Sequence, residues 1–243
     1  MEWYEAAFDR LYPVLYSHRD CAAAEAALDS FGHYFDGRSP VLDLASGDGR
    51  YLEALLRREV EVYGLDLSHY LLSRSVREWG HGGRVVQGDM RYLPFRDGSF
   101  GGALNMFTSF GYFSVDTDNL LVFREVHRVL RKNGVFLFDF INAEKIASEL
   151  LEESHRESGS YEIHEKRRIE EHGKYLVKRA EVTNRDTNHK ETITERLRLY
   201  TRADLVMMFE STGLSPRDLY GDYAGNEFVD GVSERVIILS VKR

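Results

Sequence analysis

Acidic residues stand at the ends of three successive short apolar segments, and a glycine-rich turn follows the first segment. The acids are Asp43, Asp66 and Asp89, and the turn is Ser46-Gly47-Asp48-Gly49. A carboxylate at the end of a strand can accept hydrogen bonds from the hydroxyls of a ribose or from the amino group of an adenine. We therefore predict that Asp66 binds ribose, that Asp89 binds adenine and that Asp43 lies near a cationic group of the ligand. One such acid alone would be interpreted as a helix cap, but three beside this turn favour a ligand site.

The glycine-rich turn separates two classes of adenosine-containing ligand. A dinucleotide site needs the spacing G-x-G-x-x-G, in which the third glycine allows close packing of helix on strand. Here Leu52 occupies the place of the third glycine, and Asp48 would put a carboxylate beside a pyrophosphate. Both features count against NAD or FAD. A ligand with an adenosine half and no phosphate tolerates both.

The elements that must position these residues alternate between strand and helix from residue 39 to residue 140. The apolar segments are continuous rather than alternating, which is typical of parallel strands buried on both faces. We expect a helix over residues 116–130 that is ended by Asn133-Gly134, a C-cap pair. The five expected strands are 41–44, 60–65, 84–87, 100–106 and 135–140.

The remainder of the chain has a different pattern. Residues 160–200 alternate in polarity with interleaved charges, and turn signals at 171–174 and 186–189 predict three antiparallel strands. Residues 3–16 and 22–35 have helical spacing, residues 201–212 a short helix, and residues 214–220 and 235–241 two closing strands. We interpret residues 1–243 as a single domain. Its parts are an N-terminal helical lid (1–37), a core (38–145 and 200–243) and an antiparallel β insert (155–200).

Composition limits the possible partners. The chain of 243 residues carries 32 Lys and Arg against 40 Asp and Glu, a net charge of −8, which disfavours nucleic acid. Its one cysteine, Cys21, excludes an internal disulfide and a thiolate metal cluster, and we predict no metal site. No apolar run reaches the ~20 residues of a membrane span, and the N-terminus lacks the features of a signal peptide. We expect a soluble, cytoplasmic protein without a membrane partner.

Four motifs in residues 39–140 together resemble those of the class I S-adenosylmethionine-dependent methyltransferases. The segment 41–50 is similar to their first motif, with Ala45 where the family has its first glycine. The segment 62–68 resembles the second-strand motif, Gly88-Asp89-Met90 the adenine-contact motif, and 128–134 the turn before strand five. The resemblance implies a Rossmann-like α/β fold, with a seven-stranded, mostly parallel sheet whose last strand is antiparallel. It also implies S-adenosylmethionine as cofactor and S-adenosylhomocysteine as product.

A narrower resemblance concerns small-molecule methyltransferases. It rests on residues 107–113, on a three-strand insert after strand five and on residues 220–223, and some members of that subgroup act on amino-sugar nitrogens. The implied activity is methyl transfer to an N or O atom of a small molecule, by a monomer or homodimer. The alternatives are a cofactor-binding protein without catalysis and, less favoured, an NAD(P)-dependent oxidoreductase or a protein or RNA methyltransferase.

The same resemblance gives a set of site residues. Aromatic residues cluster in the N-terminal segment and in 107–113, where their rings would attract the sulfonium of the cofactor by cation–π contact. Tyr12 and Tyr112 are catalytic candidates, because each combines an apolar ring with a hydroxyl that can orient a nucleophile. His18, next to the lid, is a further candidate, although the sequence shows no partner that would orient it. The expected cofactor-binding residues are Tyr16, Arg19, Asp43, Ala45, Gly47, Gly49, Asp66, Leu67, Asp89, Met90, Asn105 and Phe107.

Overall fold

The structure is a computed structural model that describes residues 2–17 and 21–243. His18 and Arg19 therefore lie outside the described residues. The α-helices are α1 (Trp3–Ala7), α2 (Tyr12–Leu15), α3 (Cys21–Phe31), α4 (Arg50–Leu56), α5 (His69–Trp79), α6 (Asp116–Val129), α7 (Ala143–Ser148) and α8 (Arg202–Ser211). The strands are β1 (Val41–Leu44), β2 (Val62–Asp66), β3 (Val85–Gln87), β4 (Phe100–Asn105), β5 (Leu130–Ile141), β6 (Glu153–Ser158), β7 (Tyr161–Glu170), β8 (Tyr175–Asn184), β9 (His189–Arg198), β10 (Leu214–Tyr220) and β11 (Arg235–Lys242).

Seven strands form one sheet in the order β10-β11-β5-β4-β1-β2-β3. The strands β3, β2, β1, β4 and β5 pair in parallel, whereas β11 is antiparallel to both β5 and β10. The strand order reverses between β1 and β4, and ligands of open α/β sheets bind at the carboxyl ends of the strands next to such a reversal. The predicted Rossmann-like fold with an antiparallel last strand is confirmed.

The two faces of this sheet are covered by different side chains. On one face, an aromatic cluster packs between the sheet, α6 and α8, and its buried rings are Phe110, Phe123, Phe136, Phe138 and Phe209. On the other face, smaller aliphatic and aromatic residues of α3 and α4 pack on the sheet, with Leu28, Phe31, Leu52 and Leu55 fully buried. Because both faces are covered, β1 and β4 have no exposed residue, which explains their unalternated apolar sequence.

Three helix boundaries differ from the expectation. The helix α6 covers nearly the whole of the predicted 116–130, but its C-cap residue is Leu130, so the assignment of Asn133-Gly134 as the C-cap pair is wrong. The physical reason is that Leu130 is buried and already pairs with Phe100 in the sheet. The segment 3–16 forms two short helices instead of one, and α3 continues into a 3-10 helix over Gly32–Phe35.

A second sheet, separate from the first, has the antiparallel order β6-β7-β8-β9. The predicted antiparallel insert after strand five is confirmed, but it has four strands and not three. The strand that the sequence did not reveal is β6, an edge strand without a single buried residue. Such a strand carries no apolar alternation from which it could be recognised. In the described part of the chain no helix has the length and apolarity that crossing a membrane requires.

Candidate active site

A cavity of about 330 Å³ opens at the carboxyl ends of β1, β2 and β4. Its wall combines loops of the seven-stranded sheet, the helices α1 and α2, and one face of the four-stranded sheet. Most of the residues that the sequence predicts for the site line this cavity, namely Tyr12, Tyr16, Ala45, Gly47, Asp66, Leu67, Asp89, Met90, Phe107 and Tyr112. The second-strand acid, the adenine-contact motif and both aromatic clusters are thus brought together.

Three of the predicted residues are absent from the described cavity lining, and two of them have another structural role. Gly49 has a φ of +83°, and a Cβ added there would lie 2.3 Å from Ser75 Oγ, so this glycine is needed for close packing of the turn. The Asn105 side chain donates to the Leu44 carbonyl at 2.8 Å and joins the ends of β4 and β1. The third is Asp43, which is only 3% exposed.

Asp43 is the most perturbed acid of the site. Burial raises its pKa to about 7, although the nearby charge of Arg50 opposes this shift, and the charge of Asp66 adds to it. Its Oδ2 atom is buried without a hydrogen-bond partner among the described residues. The Leu52 backbone N–H does hydrogen-bond this carboxylate. A buried carboxylate oxygen without a partner is costly, so this position fits a ligand that brings a cationic group close to the turn.

Asp66 fixes the glycine-rich turn and one wall of the cavity. Its two carboxylate oxygens accept from the backbone N–H groups of Gly47 and Ser68, each at 2.8 Å. Burial raises the pKa of Asp66, and hydrogen bonds from the backbone N–H groups of Ser68, Gly47 and Leu67 partly oppose the shift. Because Asp66 lines the cavity, its carboxylate can also accept from a pair of ribose hydroxyls.

The turn has Ala45 at the position of the first glycine of the motif, and the backbone of Ala45 and Gly47 shows how this alanine is tolerated. Both have a positive φ, +59° at Ala45 and +56° at Gly47, in the left-handed region where glycine is unstrained. Ala45 adopts this conformation at a modest cost, and both residues face the cavity. The turn therefore presents backbone to a ligand without a side chain that would fill the space.

Asp89 has a partner that the sequence interpretation missed. Arg91 binds the Asp89 carboxylate with several N–H groups at 2.6–3.1 Å and also binds Asp118 at 2.7 Å. The guanidinium lies 4.2 Å from the centre of the Phe113 ring. Arg91 therefore orients the Asp89 carboxylate at the cavity. An arginine two residues after the acid is the signal that could have revealed this pair.

A buried ion pair behind the loop after β4 was also missed. Asp139 is fully buried and accepts from Arg235 Nε at 2.8 Å, from the Phe107 backbone N–H at 2.7 Å and from the Tyr223 hydroxyl at 2.6 Å. Arg235 also donates to Thr108 Oγ1 at 2.7 Å. Phe107 and Thr108 both have left-handed backbone, with φ of +57° and +61°. The pair thus fixes two strained residues that face the cavity.

Aromatic rings close the cavity on the side of the N-terminal segment. Tyr112 lies 5.2 Å from Trp3 and 5.2 Å from Phe8, and Tyr12 lies 5.6 Å from Phe8 and 4.8 Å from Tyr16, between ring centres. The Tyr112 hydroxyl donates to the Thr108 carbonyl at 2.8 Å, which orients its ring. The helices α1 and α2 therefore pack over the loop after β4 and narrow the opening of the cavity.

Charged side chains of the four-stranded sheet form the remaining wall. Lys178 contacts Glu195 at 2.9 Å, the Tyr16 hydroxyl, and Glu165 at 3.8 Å. The Tyr16 hydroxyl in turn donates to Glu195 at 2.8–2.9 Å. The helix α2 and the insert are thus joined through partly buried polar contacts at the cavity. None of these insert residues was predicted, because their spacing in the sequence carries no motif.

Comparison with known proteins agrees with this geometry. Residues 42–138 match the family model described as a methyltransferase domain. The putative methyltransferase YqeM of Bacillus subtilis (strain 168) is 31% identical over 146 residues, which cover 58% of this chain and 56% of that protein. The chain thus spans about half the length of this curated relative.

Two solved structures have the same fold over nearly the whole chain. The CcbJ methyltransferase from Streptomyces caelestis has a TM-score of 0.82 at 17% identity, covering 98% of this chain and 97% of that one. The S-adenosylmethionine-bound CalS10, an amino pentose methyltransferase from Micromonospora echinaspora, has a TM-score of 0.71 at 16% identity, covering 96% and 97%.

The chain therefore shares its fold with these two methyltransferases, and residues 42–138 match the methyltransferase domain model. The Rossmann-like fold that the sequence motifs implied is thereby confirmed.

Proposed function

We propose that this protein is an enzyme that transfers the methyl group of S-adenosylmethionine to a nitrogen or oxygen atom of a small molecule. The observation that carries this proposal is the shared cavity. Strand-end acids form one part of its wall, and aromatic and charged side chains from the lid and insert form the other. The part with the strand-end acids suits a nucleoside without phosphates. The part formed by the lid and the insert suits a second, polar molecule.

The cofactor would be held by residues at the ends of the parallel strands. Asp66 accepts from the ribose hydroxyls, Asp89 and Met90 contact the adenine, and Ala45 and Gly47 present backbone to the amino-acid part. The carboxylate of Asp43 compensates the charge of the ligand's ammonium group, which removes the cost of its unpaired oxygen. The remaining expected contacts are Tyr16, Arg19, Gly49, Leu67, Asn105 and Phe107, of which Gly49 and Asn105 act by shaping the turn and the strand ends.

The bound cofactor supplies an electrophilic methyl group on a sulfonium. The residues of this chain orient the acceptor and exclude water, which strengthens the electrostatic contacts in the cavity. The rings of Phe107, Tyr112 and Tyr12 stabilise positive charge by cation–π contact. Tyr12, Tyr112 and His18 remain the candidates for orienting a nucleophile. Since the Tyr112 hydroxyl donates to a backbone carbonyl, Tyr12 is the better placed of the two tyrosines.

An amine is the favoured acceptor within this proposal. The similar amino pentose methyltransferase CalS10 is named for a nitrogen-bearing sugar, and the cavity is walled by side chains on several sides rather than formed as an open groove. A small amine reaches such a site, whereas a nucleic acid or folded protein would need a wider surface. The net charge of −8 also disfavours a polyanionic acceptor.

The test is a turnover assay with matched acceptors. Purified protein is incubated with S-adenosylmethionine and a panel of amino hexoses and amino pentoses, each beside the sugar with a hydroxyl at the same carbon. We expect S-adenosylhomocysteine and a product heavier by one methylene unit with amino sugars, and neither with Asp66→Ala. A protein that binds the cofactor but forms no methylated product with any amine or hydroxyl acceptor would be a binding protein, and the proposal would be wrong.

A further inference from the structure

The inner face of the four-stranded sheet carries a row of charges that the cofactor does not need. Arg167 of β7 is paired in register with Lys178 of β8, and Lys178 with Glu195 of β9. Glu165 lies two residues before Arg167 and therefore on the same face of β7. With Arg156 of β6, these side chains line the same cavity as Gly47 of the glycine-rich turn.

Both carboxylates of this row are already occupied by donors of the protein. Glu165 is 5% exposed and is bound by Arg167, by Ser154 at 3.2 Å, and by the more distant Arg156 and Lys178. Burial alone would raise the pKa of Glu165, but the charges of Lys178, Arg167 and Arg156 lower it below its ordinary value. The second acid, Glu195, is bound by Tyr16 and Lys178. Because both carboxylates already bind donors of the protein, neither is available for a cationic acceptor.

The cations of the row, in contrast, exceed the acids by one. Arg156 uses one terminal nitrogen, Nη2, to bind the Leu15 carbonyl and Glu165, and its Nε and Nη1 have no partner among the described residues. Arg167 uses its two terminal nitrogens for Glu165, Ser154 and the Leu151 carbonyl, which leaves Nε. Guanidinium N–H groups in a partly desolvated wall are suited to bind an oxyanion with paired hydrogen bonds.

The charged row gives the protein little stability of its own. Partly buried ion pairs contribute little to stability, because desolvation offsets their attraction, and apolar side chains of similar size are often as stable. The neighbouring wall is apolar, formed by Leu176, Leu197 and Ile141. If the acceptor were apolar, further apolar side chains in place of the charged row would bind it better. The charged row is therefore explained by recognition of a charged acceptor.

We propose that Arg156, Arg167 and Lys178 form a subsite for an oxyanion, a carboxylate or a phosphate group, carried by the methyl acceptor. This inference rests on the proposed function, because it names the acceptor class of the same cavity. Glu165 and Glu195 are positioning residues of the subsite, since they fix the cations and leave one positive charge for the ligand. The acceptor is then a small molecule that has both a nucleophilic group and an anionic group.

The experiment measures oxyanion binding to the protein saturated with S-adenosylhomocysteine. Inorganic phosphate and acetate are titrated by calorimetry at constant ionic strength, with chloride as the balancing anion. The variants are Arg167→Gln and Arg156→Gln. The matched control is Arg168→Gln, because Arg168 is the next residue of β7, points to the other face and is 67% exposed.

We expect at least one of the two oxyanions to bind, with a dissociation constant that rises about tenfold or more in Arg167→Gln and Arg156→Gln and stays unchanged in Arg168→Gln. Tighter binding of phosphate indicates a phosphorylated acceptor, and tighter binding of acetate indicates a carboxylate. Unchanged affinity for S-adenosylhomocysteine shows that each variant is folded.

Two results would overturn the inference. One is a wild-type protein that binds S-adenosylhomocysteine but neither oxyanion, and the other is an equal loss in Arg168→Gln. Failure of the wild type to bind S-adenosylhomocysteine would instead contradict the proposed function.

Discussion

The two walls of the cavity are constructed by different means. On the cofactor side, Asp66 is fixed by backbone N–H groups of Gly47 and Ser68, so the geometry follows from one strand end and one turn. On the acceptor side, Tyr16 meets Glu195, a residue 179 positions away, through side-chain contacts alone. The first arrangement depends on local sequence, and the second on how the lid and insert pack. We infer that the cofactor wall is general and that the acceptor wall determines specificity.

The largest effect is expected where the cofactor wall is removed. Asp66→Ala deletes the acceptor of two ribose hydroxyls, which should weaken S-adenosylhomocysteine binding by roughly 1.5–3 kcal/mol per lost bond. Calorimetric titration measures this change. Asp97→Ala is the control, since Asp97 is 80% exposed and does not line the cavity. Equal affinity of Asp66→Ala and the wild type would show that Asp66 holds the turn only.

The next effect is expected at the junction between the walls. Asp139→Ala leaves Arg235 buried without its carboxylate and releases Phe107 and Thr108, so the free energy of unfolding should fall by about 3–5 kcal/mol. Urea unfolding measures this free energy. The variant Asp139→Asn keeps the size of the side chain and one acceptor oxygen, so its free energy of unfolding should fall less than that of Asp139→Ala. A loss below 1 kcal/mol in Asp139→Ala would mean that the buried pair does not fix the loop.

The third prediction concerns the pH dependence of the ligand-free protein. Because the pKa of Asp43 is raised by burial to about 7, the folded state binds its proton more tightly than the unfolded state does. The stabilisation from this proton is complete below pH 4 and is lost as the pH rises to 7, amounting to at most about 4 kcal/mol.

Other carboxylates with lowered pKa values act in the opposite direction, so the Asp43 contribution must be isolated by a variant. Urea unfolding of the wild type and Asp43→Asn between pH 4 and 8 provides the difference. We expect Asp43→Asn to become more stable relative to the wild type as the pH rises, and saturating S-adenosylhomocysteine to reduce that advantage. Parallel pH curves for the two proteins would show that burial does not raise the pKa of Asp43 in the folded state.

The smallest effect is expected on the acceptor wall. Tyr16→Phe removes the hydroxyl that binds Glu195 and Lys178 and should cost roughly 1.5–3 kcal/mol of stability at the contact between lid and insert. Arg10→Gln is the matched control, because the Arg10–Glu191 pair joins the same parts but Arg10 is 62% exposed, and it should cost less than 1 kcal/mol. Urea unfolding measures the free energy of unfolding of both variants. If Tyr16→Phe and Arg10→Gln lose similar amounts, the Tyr16 contact contributes no more to stability than an exposed ion pair.

The sequence predicts the cofactor side of the cavity better than the acceptor side. The strands β1, β2 and β3 are short, largely apolar runs, and each contains or is followed by the turn or acid that it positions, so the fold and most of the cofactor wall were predictable. The roles of Arg235 and Lys178 were not, because each depends on a partner from another strand or sheet. The strand β6 was missed because it has no buried residue. The C-cap of α6 was assigned wrongly because Leu130 already pairs in the sheet before the Asn133-Gly134 turn.

We expect the strand-end wall to bind the nucleoside part of S-adenosylmethionine. Calorimetric titration of the wild-type protein with S-adenosylhomocysteine, and in parallel with NADH, measures this binding. We expect one site per chain for S-adenosylhomocysteine and much weaker binding of NADH, because Leu52 occupies the place where a dinucleotide site needs a glycine, and Asp48 makes the turn acidic. If S-adenosylhomocysteine does not bind, or if NADH binds more tightly, the wall is not a site for this nucleoside.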